Sequence, residues 1–325
     1  IFSKGFFQSR TSATISASLL TLDFMHFTMG RIATTEAFAI FFNLVSCFFF
    51  YINYRSLRED GVVNKFAIFL GSLSFSLAFS TKWYTFFGLV SQMFLILMLY
   101  LNAGKRGNQT NKIRNLLLEL MPILLVSFFV SVAVYFSTYI PYVLQGHSLK
   151  DVYDLQWRML GYHSQLEVTH PYSSPWWSWP FNVRPLWLTV DYLPGGTVST
   201  VVAMGNPLIW WAGAVSAILI AGQALKEGDH DRIYLTATLL LQWLPFALMS
   251  RCLFIYHFYL TVPIMVLMIT LYLDESWRIR SRRRLVIVYL IAVAVSFAIF
   301  YPVISGHPIP DQYRRFLRWL PSWVF

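Results

Sequence analysis

The sequence predicts an all-α polytopic membrane protein, and three observations carry that prediction. Charged residues make up only 12% of the 325-residue chain and hydrophobic ones 57%, with a mean hydropathy of +0.54. Average soluble domains carry roughly 25% charged residues, so a deficit of this size leaves much of the surface to face lipid. Second, the apolar residues fall in continuous runs of about 20 residues, the length that crosses a hydrocarbon core as a helix. Third, basic residues gather in the short connections between alternate runs, the pattern that orients a chain in a membrane. A spanning barrel would instead show alternating segments of about ten residues, and lipid admits only helices or closed barrels. The net charge of +10 does not indicate nucleic acid, because the cations lie in membrane-flanking loops rather than on one exposed domain.

Nine runs qualify: 12–29, 32–51, 62–80, 83–101, 116–143, 201–221, 233–249, 253–273 and 285–303. Gly30-Arg31 makes a tight connection between the first two, and Ser80-Thr81-Lys82 another between the third and fourth. The fifth and sixth are joined by the long connection 144–200, which contains the turn signal Pro194-Gly195-Gly196. The chain therefore divides into a five-span part (1–143), a loop (144–200) and a four-span part (201–325). Lys4 and Arg10, then Arg55, Arg58 and Lys65, then Lys105, Arg106, Lys112 and Arg114, then Lys226 and Arg232, and finally the arginine-rich run 278–284 mark one side as cytoplasmic. The long loop is then extracytoplasmic. Cys47 and Cys252 fall in or beside apolar runs and suggest neither a disulfide framework nor a metal site. The chain begins at Ile1 without an initiator Met, and we expect it to be part of a longer protein.

Chemistry concentrates in the stretch 162–185, YHSQLEVTHPYSSPWWSWPFNVRP. A plain connector would carry small polar turn residues. This one carries His163, His170, Tyr172, Trp176, Trp177, Trp179 and Arg184, rings and cations suited to closing over a sugar or an anion. The competing reading is an aromatic belt at the bilayer interface. Pro171 ends any helix at His170, so the two histidines do not share a helix face. Glu167, between them, is a base, an orienting partner for a histidine, or a solvent-facing acid. No HxxH, HExxH or Cys/His pattern supports a metal site.

Further polar groups collect at the extracytoplasmic ends of the runs. Arg31 occupies the first outer turn, with His26 one turn below and Glu36 just inside the next helix. Lys82 occupies the second outer turn, and Arg251 opens the eighth run with His257 six residues deeper. Cations converging at one depth suit a phosphate at headgroup level. The alternative is that Arg31, Lys82 and Arg251 are interfacial anchors that snorkel.

At these residues the sequence resembles the protein O-mannosyltransferase family. The resemblance rests on Tyr162-His163, His170-Pro171-Tyr172, Ser174, Trp176-Trp177-Ser178-Trp179-Pro180 and Arg184-Pro185. It continues in Gly205-Asn206-Pro207 with Trp210-Trp211, similar to the family's GNPxxWW signature, and in Arg251-x-x-Phe254-x-Tyr256-His257. Asp23, Arg31-Ile32-Ala33 with Glu36, and Thr81-Lys82-Trp83 resemble its more N-terminal elements. What the resemblance implies is a GT-C-type membrane glycosyltransferase with eleven spans. It would move mannose from a polyprenyl-phosphate donor to Ser or Thr of secreted or membrane proteins, at the extracytoplasmic face of the plasma membrane. Arg31, Lys82, Arg251 and His257 would hold the donor phosphate, and the loop residues would close over sugar and acceptor. No cofactor is implied and the need for a divalent metal stays open; the implied partners are the donor lipid, the acceptor polypeptide, the bilayer and the secretion translocon.

Two departures stand out. The family's Asp-Glu pair, its catalytic base, would precede the first run, upstream of Ile1, so Glu36 and Glu167 are the candidates this chain itself offers. Glu36 also stands where the family has Asp. The loop is too short for the β-trefoil domain of eukaryotic members, which points to a prokaryotic type. Two other readings remain open: a transferase that acts on a lipid or wall-polymer acceptor, and a transporter or flippase. The latter expects midplane charges and internal repeats, whereas the charges here sit at one face and no repeat is visible.

Overall fold

The computed structural model describes residues 1–104, 109–165 and 168–325, and their side chains except in 101–117, 119 and 165. The described residues form two units, Ile1–Thr34 with Glu167–Phe325, and Thr35–Leu166.

The first unit opens with α1 (Phe2–Phe7), α2 (Arg10–Thr21) and α3 (Phe24–Arg31). Ser9 caps α2, its hydroxyl accepting from the Ser12 amide. The expected run 12–29 is broken between α2 and α3 because Asp23 takes an extended conformation and caps α3, accepting from the His26 amide at 3.0 Å. A buried carboxylate that satisfies the first turn of one helix ends the helix before it.

The second unit holds α4 (Glu36–Glu59), α5 (Lys65–Thr81), α6 (Phe86–Gly104), α7 (Gln109–Ser137), α8 (Ile140–Leu144) and α9 (Leu149–Gln165). Two asparagines close the α4–α5 hairpin. Asn53 Oδ1 accepts from the Asn64 amide, and Asn64 Oδ1 caps α5 by accepting from the Ala67 amide, both at 2.9 Å. Gly71 lets the Phe50 ring lie against α5, and Phe50, Val63, Ile68, Ile96 and Leu120 form the core. Gln156 of α9 joins Tyr135 and Tyr139 of the α7–α8 region by hydrogen bonds, and Tyr135 also accepts from the Trp83 indole at 3.0 Å.

The first unit resumes with strands β1 (Leu186–Leu193) and β2 (Thr197–Ala203), then α10 (Pro207–Glu227), α11 (His230–Trp243), α12 (Val262–Arg278), α13 (Arg283–Ser305), strand β3 (Ile309–Pro310) and α14 (Asp311–Phe316). The strands form an antiparallel sheet in the order β1-β2-β3. This corrects the all-α expectation for the long loop: the connection 144–200 contains a helix and a hairpin. The hairpin turns at Pro194-Gly195-Gly196, where both glycines have φ above +70°. Along β2 the inward side chains Val198, Thr200 and Val202 alternate with more open ones. Its buried face meets Phe24 of α3 and Phe300, Val303 and Ile304 of α13.

Six helical segments are long and apolar enough to cross a membrane among the described residues: Glu36–Glu59, Trp83–Tyr100, Leu120–Leu144, Pro207–Glu227, Ile255–Arg278 and Arg280–Ser305. The protein is thus a multi-pass membrane protein. Three of the nine expected runs fall short of this length. The first is split at Asp23, α5 has 17 residues, and α11 ends at Trp243 before Pro245. In the apolar window of Ile255–Arg278, 83% of the residues are buried, against 11% in that of Leu120–Leu144.

Candidate active site and its aromatic segment

The segment 168–185 is pinned at many points within the first unit. The Ser174 amide donates to the Leu253 carbonyl at 2.9 Å, and the Ser174 hydroxyl accepts from the Trp179 indole at 3.0 Å. Trp176–Phe181 forms a 3₁₀ turn that ends at Asn182, a residue in the left-handed region with φ of 57°. Asn182 exchanges two hydrogen bonds with the Gly205 backbone, and its carbonyl accepts from the Trp323 indole. Trp243 and Trp211 donate to the carbonyls of Trp176 and Phe181, and Arg184 donates twice to the Pro171 carbonyl. Four indole N–H groups thus find partners within or beside this segment, as buried tryptophans require.

Trp179 is fully buried and stacks on His257, the ring centroids 6.0 Å apart. It has no surface with which to touch a substrate, which corrects its expected place in the substrate wall. Trp177 is the exposed tryptophan of the turn, at 56%. His170 is exposed and meets the Phe254 ring edge-on at 5.0 Å, with Tyr172 nearby; its Nδ1 accepts from the Tyr172 amide.

His257 lies in a 3₁₀ stretch, Ile255–Thr261, that precedes α12. Its Nδ1 is 2.9 Å from the Phe254 carbonyl, and its ring lies between Trp179 and Tyr256. Arg251 is half-buried in the non-helical residues just before it, so the expected helical descent from Arg251 to His257 is absent.

Arg31 ends α3, is exposed, and donates one N–H to the Ser305 carbonyl at 3.0 Å, with its guanidinium over the Phe27 ring. One turn back, His26 Nδ1 hydrogen-bonds the Tyr259 hydroxyl, two residues from His257. The structure thus ties the helix carrying Arg31 to the stretch carrying His257. Lys82 belongs to the second unit, where its ammonium lies 2.8 Å from the buried carboxylate of Glu36. The two are the expected phosphate ligand and the expected candidate base, and here each is the other's counter-ion. His163 is exposed in the last turn of α9, also in the second unit, and Glu167 lies outside the described residues. Among the described residues no three His, Cys, Asp or Glu side chains gather as metal ligands.

The centre of the first unit's polar network is formed by Asp23, Asn206 and Trp210, which the sequence offered as motif residues and not as site candidates. Asn206 caps α10, its Oδ1 accepting from the Leu208 amide. Its Nδ2 donates to the carbonyls of Leu22 and Val293, and Oδ1 also accepts from Ser296. Asp23 accepts from the Asn206 amide at 3.2 Å and from the Trp210 indole at 2.8 Å. Gly205 permits this: a Cβ there would stand 2.0 Å from the Trp210 indole. The Asn-Pro pair, cap followed by proline at the first helical position, was the legible signal.

A multi-spanning helical protein with a pinned aromatic segment and an exposed arginine at a helix end is the class that fold and site define. Residues 148–323 match the family model of the C-terminal four-transmembrane region of protein O-mannosyltransferase. Residues 3–143 match that of dolichyl-phosphate-mannose-protein mannosyltransferase. The chain belongs to the protein O-mannosyltransferase family. It is 31% identical over 170 residues to the polyprenol-phosphate-mannose–protein mannosyltransferase of Mycobacterium tuberculosis, covering 47% of this chain and 32% of that one. Against the protein of the same name from Corynebacterium glutamicum it is 27% identical over 186 residues, 51% of this chain and 35% of that one. These matches span about a third of the length of either relative. The S. cerevisiae protein O-mannosyltransferase Pmt1-Pmt2 complex bound to the sugar donor is similar with a TM-score of 0.48. That match has 24% identity over 55% of this chain and 27% of that one.

Proposed function

We propose that this chain forms part of a transferase that moves mannose from a polyprenyl-phosphate donor to Ser or Thr of secreted or membrane proteins. The reaction would take place at the extracytoplasmic face of the plasma membrane. The observation that carries this reading is Arg31, an exposed guanidinium held by the Ser305 carbonyl on a helix anchored through His26 to the His257 stretch. A guanidinium preset in this way suits two-pronged contact with a phosphate, and its charge stabilises the phosphate that leaves with the polyprenol. Arg251 would add to the positive wall; His257 is buried, only 3% exposed, and would position the stretch that meets His26 rather than touch the phosphate. The pinned segment 168–181, with Trp177 and His170 outward, would cover the sugar and keep water from the donor. The acceptor hydroxyl must give its proton to a base, which we assign to no residue described above.

The test is transfer by the full-length protein in membranes, with radiolabelled polyprenyl-phosphate mannose and a Ser/Thr-rich peptide. Arg31→Ala should lower the rate roughly 100- to 1,000-fold, the scale of losing one charge-stabilising donor, without loss of membrane-inserted protein. Normal transfer by a well-expressed Arg31→Ala protein would overturn the phosphate assignment. Label passing to lipid or wall polymer and never to peptide would establish the alternative acceptor class.

A further inference from the structure

Among the described residues, the helix α9 leaves an apolar face exposed. Leu149, Tyr153, Trp157 and Leu160 are 78%, 59%, 58% and 48% exposed. Their spacing of four, four and three residues puts them on one stripe. Beside this stripe lie Lys150, Asp154 and Arg158, the first two ion-paired. The packed side is carried by Val152, which is buried, and by Gln156.

The level of α9 is set by what Gln156 touches. It accepts from Tyr135, in the last turn of α7, and Tyr135 in turn accepts from Trp83, in the turn between α5 and α6. Three apolar helices of this unit therefore end or begin at the height of α9. Membrane-crossing helices end where the hydrocarbon does. The outward face of α7, through Val132, Phe136, Ile140 of α8 and Leu144, is exposed and apolar up to the turn that starts α9. The α9 stripe continues this surface in sequence after a four-residue turn.

We propose that α9 is an interfacial helix lying on the lipid bilayer, with Leu149, Tyr153, Trp157 and Leu160 in the boundary between headgroups and acyl chains and Lys150, Asp154 and Arg158 toward water. An aliphatic–aromatic stripe beside a charged one is the composition such helices use, and Trp and Tyr favour that depth. The occupant is the lipid already covering α7, and this placement does not depend on which sugar or acceptor the protein uses.

The test uses the full-length protein with Cys47 and Cys252 replaced by Ser, in phosphatidylcholine–phosphatidylglycerol vesicles. Single cysteines at 149, 153, 157, 160, 150, 154 and 158 carry a nitroxide. Labels on the stripe should relax faster with dissolved oxygen than with an aqueous nickel chelate, and those at 150, 154 and 158 should show the reverse. If all seven favour the chelate, the face is solvated and the proposal fails. If the stripe labels are immobile and shielded from both reagents, the face meets a protein partner or a second copy and the proposal also fails. Brominated phospholipid checks the same face in the natural cysteine background. Trp157→Phe should reduce the lipid-quenched share of fluorescence, and an unchanged share would overturn the placement.

Discussion

The indole N–H of Trp210 donates to the Asp23 carboxylate at 2.8 Å, joining the break between α2 and α3 to the first turn of α10. Asp23 also accepts from the amides of His26 and Asn206, and it has no exposed surface. Asp23→Ala would leave three buried donors without an acceptor, each costing about 1–3 kcal/mol. Trp210→Phe would remove one donor and leave the carboxylate its other two partners. We expect Asp23→Ala to lower the unfolding temperature in detergent well beyond Trp210→Phe. Equal shifts would show that Asp23 does not organise this junction.

Two glycines of the same region should respond oppositely to alanine. At Gly205 a Cβ meets the Trp210 indole at 2.0 Å, so Gly205→Ala must displace a buried ring and should cost about 1–3 kcal/mol or more. At Gly222, inside α10, a Cβ meets nothing within 4 Å. Gly222→Ala should raise stability by roughly 0.8–1.0 kcal/mol through helix propensity alone. Thermal unfolding of both variants in one detergent provides the comparison.

Trp177 and Trp179 are two residues apart and should separate function from folding. Trp179→Ala empties a buried site between Phe246, Phe258 and His257, at a cost of about 3–5 kcal/mol. Trp177→Ala, at an exposed position, should change stability by less than about 0.5 kcal/mol. Transfer by Trp177→Ala should nevertheless fall, since that ring faces outward where sugar or acceptor would lie. Wild-type transfer by Trp177→Ala would remove it from the substrate wall.

Glu36 is nearly buried and Lys82 is its counter-ion, with the lysine side chain one-third exposed. Lys82→Met leaves the carboxylate unpaired and should destabilise the protein, whereas Lys82→Met with Glu36→Gln should recover part of the loss. Unfolding of both variants, followed by peptide mannosylation, decides between roles. If the double variant is stable and active, the pair is structural. If it is stable and inactive, Lys82 or Glu36 also serves the reaction.

Composition and periodicity made the membrane class legible, because lipid exposure imposes long apolar runs that no tertiary contact can disguise. Among the described residues six of the nine runs keep the length of a crossing helix, and three are split or short. Asp23 lies inside the run 12–29 and caps α3 through the His26 amide, while its further partners, the Asn206 amide and the Trp210 indole, come from the start of α10 and are not legible in the sequence. The hairpin was missed although Thr197–Val202 is rich in β-branched residues, because residues 186–200 read as loop and Val201-Val202 count with the apolar run that follows. Within the aromatic segment, residue types announced a site without saying which ring faces outward. That depends on the hydrogen bonds of Ser174 and Asn182 and on the missing side chain of Gly205, whose partners are distant in sequence. Arg31 drew notice as a cation in a tight outer turn, but the sequence did not show that it would reach the Ser305 carbonyl at the end of α13.

The junction at Gly205–Trp210 also restricts how such a chain can diverge. Gly205 must stay small while Trp210 stays large, Trp210 needs an acceptor at position 23, and Asn206 serves three helices with a single amide. No one of these positions can change first without a penalty that only a simultaneous change elsewhere could remove. The four positions are therefore energetically coupled, and a change at one is best tolerated when its partner changes with it.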